Sequence, residues 1–199
     1  MKRLHTLLTM VAIAALSFTF TSCDENEDIA YTLDGTWEGN IYVSHKWDGR
    51  YYDASYSYIY FDRNPYKYAK GTGYWVDEYR DAPWGSYIAN HISWKVRNRD
   101  IVVYFEEDEC EIIIRNYELS DNYFDGYIYT YDNKKVTFHL RKTTSRNWNS
   151  YYYGWNHWGN YYWDDYYYYG KQNSIVEEET RATPSSNVEK PQRVFRLRE

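Results

Sequence analysis

The sequence predicts an all-β domain: an antiparallel up-and-down meander closing into a roughly eight-stranded barrel, with a disordered C-terminal tail. Two runs carry a period of two. Ile92, Trp94 and Val96 alternate with Ser93, Lys95 and Arg97, and Val136, Phe138 and Leu140 alternate with Thr137, His139 and Arg141. That period marks half-buried antiparallel strands. Turn signals recur between such runs, and no stretch holds a 3.6-residue apolar period long enough for a helix. Short strands joined by short turns favour a meander, and closing it removes the exposed edges.

Four regions follow one another along the chain: residues 1–22, 23–30, 31–143 and 144–199. The first begins with the basic pair Lys2 and Arg3, followed by the apolar run from Leu7 and then Ser22 before Cys23. The run is short and broken by Thr and Ser, unlike a membrane-spanning helix. It resembles a bacterial lipoprotein signal peptide, with Phe20 at the bulky apolar position accepted in Bacteroidetes versions. The resemblance implies cleavage before Cys23 and acylation (palmitate among the chains) of that residue. Residues 23–30 read as an acidic, lipid-anchored tether. Asp24, Glu25, Glu27 and Asp28 resemble the acidic signal that sends such lipoproteins to the exterior face of the outer membrane. The resemblance thus implies an outer-membrane location, lipid-anchored and facing the cell exterior.

Losing Lys2 and Arg3 takes the formal net charge from −6 to −8. An acidic chain with no basic stripe speaks against nucleic acid as a partner. Cys110 is the only cysteine besides Cys23. With Cys23 acylated it has no intrachain partner and reads as a small core residue. The 27 Tyr and nine Trp residues outnumber what a small core needs. They suit rigid amphipathic contact faces.

Within 31–143, further strands are expected at 36–45, 54–61, 71–78, 101–106, 111–117 and 123–131. Turn chemistry separates them at Trp47-Asp48-Gly49, Arg63-Asn64-Pro65, Asp81 to Gly85, Asn98-Arg99-Asp100, Ser120-Asp121-Asn122 and Asp132-Asn133. The first strand opens with Gly35-Thr36-Trp37, similar to the Gly-x-Trp opening of lipocalins and avidins. With Gly71-Thr72-Gly73-Tyr74-Trp75, Trp94-Lys95-Val96 and Phe124-x-Gly126, the pattern resembles small lipocalin-like lipoproteins of Bacteroidetes. The resemblance implies that Trp37 closes one barrel end with Gly35 packed beside it. Arg141 would then lie over Trp37 in place of the family's late Arg. The biotin-binding Asn and Ser of avidins have no match.

The tail is unusual. From Trp148 to Tyr169, 13 of 22 residues are Tyr or Trp, spaced by small and polar residues. From Lys171 onward the chain is polar and charged, a composition that does not build a core. The aromatic stretch suits stacking on a sugar ring, a protein partner or another copy.

Catalytic signals are lacking. His45, His91, His139 and His157 are scattered, with no metal-ligand spacing, and His139 falls on the polar face of its strand. Glu106 to Glu109 and Glu111 lack the spacing of a calcium loop and read as a solvated hairpin turn. No nucleophile elbow, phosphate loop or dinucleotide fingerprint occurs. The expectation is a non-catalytic module without cofactor or metal, binding a small hydrophobic ligand in the barrel mouth or an extracellular glycan. Trp75, Trp84 and Trp94 are the barrel-mouth candidates, and Trp155, Trp158 and Trp163 the tail candidates. The alternative is a structural or adhesive envelope protein whose tail mediates self-association or protein contacts.

Overall fold

A computed structural model describes residues 21–129, 135–144, 146–155 and 190–196, with side-chain burial from residue 25. It contains α1 (Thr21–Leu33) and eleven strands: β1 (Gly35–Asn40), β2 (Val43–Trp47), β3 (Arg50–Asp53), β4 (Tyr56–Arg63), β5 (Lys70–Glu78), β6 (Tyr87–Arg97), β7 (Asp100–Phe105), β8 (Cys110–Leu119), β9 (Tyr123–Tyr129), β10 (Lys135–Thr143) and β11 (Gln192–Phe195). Eight of them close a barrel in the order β1-β10-β9-β8-β7-β6-β5-β4. Every neighbouring pair is antiparallel, and β1 closes the ring by pairing with both β10 and β4. The meander expectation therefore holds, with one excursion. The expected strand 36–45 divides into β1 and β2, and the β2–β3 hairpin leaves the barrel. It forms a separate three-stranded sheet with β11.

Alternation places the core. In β6, Ile88, Asn90, Ile92, Trp94 and Val96 are buried; of the residues facing outward, Ala89 is covered as well, and Lys95 and Arg97 are exposed. The inward side chains of β4, β5, β7, β9 and β10 join them in one apolar cluster. Trp75 packs edge-on to Phe105, Phe61 to Trp94, and Phe124 to Phe138. An eight-stranded barrel is just wide enough for its own side chains to fill. These large rings fill it.

Two local devices shape the sheet. Gly73 lies where β4 and β5 approach closely, and a Cβ there would collide with the Tyr60 carbonyl oxygen. Only glycine lets the backbones come that near. The β6–β7 turn is a two-residue hairpin with positive φ at Asn98 (51°) and Arg99 (66°). That is the twist-matched turn of tight hairpins.

The stretch expected to be a tether is part of α1. Its acidic residues in the first turns suit the positive end of the helix. Ala30 and Leu33 are fully buried, with Ile29 packed beside them, so an apolar face of α1 covers one barrel end. Trp37 is fully buried beside α1, and its indole Nε1 donates to the Leu33 carbonyl at 2.7 Å. Gly35 has φ +119° and lies against the Lys142 side chain. Arg141 does not cover Trp37. The register sets Trp37 opposite Lys142, so Lys142 shares its face while Arg141 points outward to Glu38. Lys142 Nζ lies 5.1 Å from the Trp37 ring centroid.

Two pieces of the region read as tail are ordered elements. Residues 146–155 lie along the outer wall of β4 to β6, and β11 pairs with β2. Neither has a pattern that marks it as an element, because their partners are on the barrel and not in their own sequence.

Candidate functional site

The opposite barrel end is closed by the β11-β2-β3 sheet and a buried polar cluster. Arg193 projects inward from β11, only 1% exposed, and pairs with two buried carboxylates. Its Nη1 donates to Asp77 Oδ2 and its Nε to Asp108 Oδ2, the latter at 2.7 Å. The guanidinium also lies 4.3 Å over the Phe105 ring. Asp77 is held from its other side: Ser57 Oγ donates to Oδ1 at 2.6 Å and Trp75 Nε1 at 2.9 Å. Each carboxylate is thus hydrogen-bonded as well as paired, which buried charge requires.

His45 is completely buried beside them. Its Nδ1 contacts the Tyr79 hydroxyl closely, and its Nε2 lies 3.9 Å from Asp108, too far for a hydrogen bond. Burial holds the imidazole below its ordinary pKa, against the opposing pull of Asp108. A neutral ring lets the Tyr79 hydroxyl donate to Nδ1. Burial and the nearby Asp77 charge push that hydroxyl's pKa well up. Burial would also raise Asp108, but the Arg193 guanidinium pulls the other way and the carboxyl is held below the usual range. For Arg193, burial would lower the pKa, and Asp77 and Asp108 reverse that. The loop at 106–109 is therefore not simply a solvated charge run. Asp108 is only 7% exposed, and Glu107 accepts from the His91 backbone at 2.7 Å.

The outer wall offers a different surface. Tyr58, Tyr60, Tyr74 and Tyr87 stand on the outward faces of β4, β5 and β6. Trp148 stacks on Tyr60 and Tyr74 at 5.9 and 5.6 Å, nearly parallel. Tyr153 covers His91 at 4.0 Å, and Arg146 sits 3.5 Å over Tyr58. A second aromatic cluster thus forms outside the barrel around Val76, Ala89 and Trp148. Beside it an open groove of about 710 Å³ is lined by Glu38, Tyr56, Tyr58, Glu78, Tyr87 and Arg141, among others. Tyr56 and Tyr58 lie 5.1 Å apart. Arg141 clamps Glu38 at 2.7 Å. Burial and then the Glu38 charge raise the Tyr56 pKa, keeping its hydroxyl a neutral donor.

The structure separates the tryptophans expected to share a mouth. Trp94 sits at the α1 end, 3% exposed, donating to the Thr72 carbonyl. Trp75 is in the interior, held by Asp77. Trp84 is in the cap, ringed by His45, Trp47, Tyr52 and Tyr79. Each is occupied by the protein itself. Trp155 is half-buried against Trp47 at 6.4 Å. Trp158, Trp163 and His157 lie outside the described residues. The sequence does not single out Asp77 or Arg193, and Asp108, read as part of a solvated turn, is buried. One signal was present: Asp77 shares the inward parity of Gly73 and Trp75. Among the described residues, no group of three or more His, Cys, Asp or Glu could hold a metal. None of the described helices is long and apolar enough to cross a membrane.

Comparison with family models finds no match, and no curated protein matches. Among solved structures, the chain is similar to a redesigned β-barrel at 16% identity and a TM-score of 0.35. The match covers 57% of this chain and 94% of that one.

Proposed function

We propose that the protein is a lipoprotein, anchored through Cys23 to the outer membrane and facing the exterior, that binds an extracellular glycan without transforming it. The observation that carries the binding reading is the open groove beside Tyr56 and Tyr58, with Arg141 and Glu38 on its wall. Tyrosine rings offer a flat apolar face with a polar tip. Arg and Glu supply the directional hydrogen bonds that sugar hydroxyls take. The filled interior favours the glycan over a small hydrophobic ligand, since large rings occupy the space such a ligand needs.

The test is retention on immobilised polysaccharides, followed by calorimetry on any that retain the chain. The Tyr56→Ala/Tyr58→Ala pair is expected to weaken binding about tenfold or more, with the far-ultraviolet signal of the barrel retained. Equal retention by both forms sinks the groove. The anchor is tested separately by labelled palmitate incorporation, which Cys23→Ser is expected to abolish. An adhesive role is the second reading, favoured by the way β11 is held.

A further inference from the structure

The mouth is built as a receptor for a strand. The barrel ladder closes without β11. That strand pairs with β2, which would be an edge strand without it, from Gln192 opposite Lys46 to Phe195 opposite Val43. Its inward side chains are Arg193 and Phe195, two residues apart as strand alternation requires. Arg193 enters the Asp77–Asp108 pair over Phe105, and Phe195 packs edge-on to Trp75. Just past the strand, Arg196 reaches Asp53 at 3.0 Å and Ser44 at 3.1 Å. Backbone pairing plus pockets for alternate side chains is how sheets recognise extended peptides. An Arg fork suits a carboxylate pair better than a Lys point charge.

We propose that this mouth is a peptide-binding site for an extended Arg-x-Phe segment, and that it takes the C-terminal strand of a second copy in exchange for its own. Every copy carries both halves, the receptor and the strand. Residues 156–189 separate the strand from Trp155 on the outer wall. A stretch of that length reaches at most about 120 Å when extended, more than enough to meet a neighbouring mouth. The contact made in trans repeats the one made in cis, so exchange replaces each interaction with an identical one. Two copies exchanging strands close a pair, while one-way donation builds a head-to-tail chain. This inference is independent of glycan binding in the groove.

The experiment uses full-length wild-type chains carrying two different affinity tags. They are mixed at high concentration, warmed to the melting midpoint, cooled and captured through one tag. Mixed pairs are expected. An excess of a synthetic peptide matching residues 190–199 is expected to cut co-capture about tenfold. The same peptide with Arg193→Ala is expected to leave it unchanged. Absence of mixed pairs overturns the proposal, and so does co-capture that both peptides suppress equally or neither suppresses. Because the chains are wild-type, none of these outcomes depends on a variant folding.

Discussion

Lys142 Nζ sits over the Trp37 ring, 5.1 Å from its centroid, and donates to the Thr32 carbonyl at 3.1 Å. One side chain thus ties the last barrel strand to the first and to the end of α1. Replacing Lys142 by Met keeps the stem but removes the charge and the donor. The expected cost is about 0.5–2 kcal/mol, the range of a cation over an aromatic face. Chemical denaturation measures it. A larger loss from Arg141→Met would mean that the outward Arg–Glu38 pair, and not Lys142, secures this end.

Removing Asp77 should cost far more. It is fully buried and serves Arg193, Ser57 and Trp75. Asp77→Ala leaves Arg193 with only Asp108, and breaking a buried pair costs about 3–5 kcal/mol. Denaturant midpoints should show that loss. Glu38→Ala, which breaks an ion pair whose arginine is exposed, should cost about 1 kcal/mol or less.

Stability should fall with acid in two stages, both of one sign. His45 is held below its ordinary pKa when folded. The unfolded chain therefore takes up that proton first, and stability drops as pH falls through about 6.5. Asp108 is likewise held below the usual carboxylate range. Its contribution is complete above that range and is lost as pH falls beneath it, through about 4. Melting temperatures from pH 8 down to pH 3 should trace both stages. His45→Gln should flatten the upper stage and leave the lower one.

Trp148 fastens residues 146–155 to the outer wall by stacking on Tyr60 and Tyr74. Trp148→Ala should remove about 3 kcal/mol from that docking. Limited trypsin digestion should then cut at Arg146 sooner than in wild type, while the far-ultraviolet signal of the barrel is retained. An unchanged digestion rate would show that Tyr151 and Tyr153 hold the segment without it.

Alternation and turn chemistry made the barrel readable. Ile92-Trp94-Val96 and Val136-Phe138-Leu140 face the core as their period requires, and Asn98-Arg99 forms the tight turn. The sealed mouth was less readable. Trp75, Trp84 and Trp94 read as ligand contacts because indoles suit ligands, yet each finds its neighbours inside the fold. Arg193 gave no local sign, since its value depends on Asp77 and Asp108 far away in sequence. A four-residue strand in a polar stretch has no pattern long enough to recognise. The outer wall was half visible. Tyrosine excess announced a contact face, but its first occupant is the chain's own Trp148.

The mouth also sets an order of events. Ser44 waits for Val194, its partner across β2 and β11, and contacts so far apart in sequence form late. Until β11 docks, Asp77 and Asp108 lack the arginine that pairs with both. Arrival of β11, with Arg193, is therefore what neutralises that end of the molecule. Without β11 the barrel strands would leave Asp77 and Asp108 unneutralised by Arg193, and like charges that share a site favour proton uptake by one of them. Undocking of β11 is thus converted into a change of charge at the barrel rim.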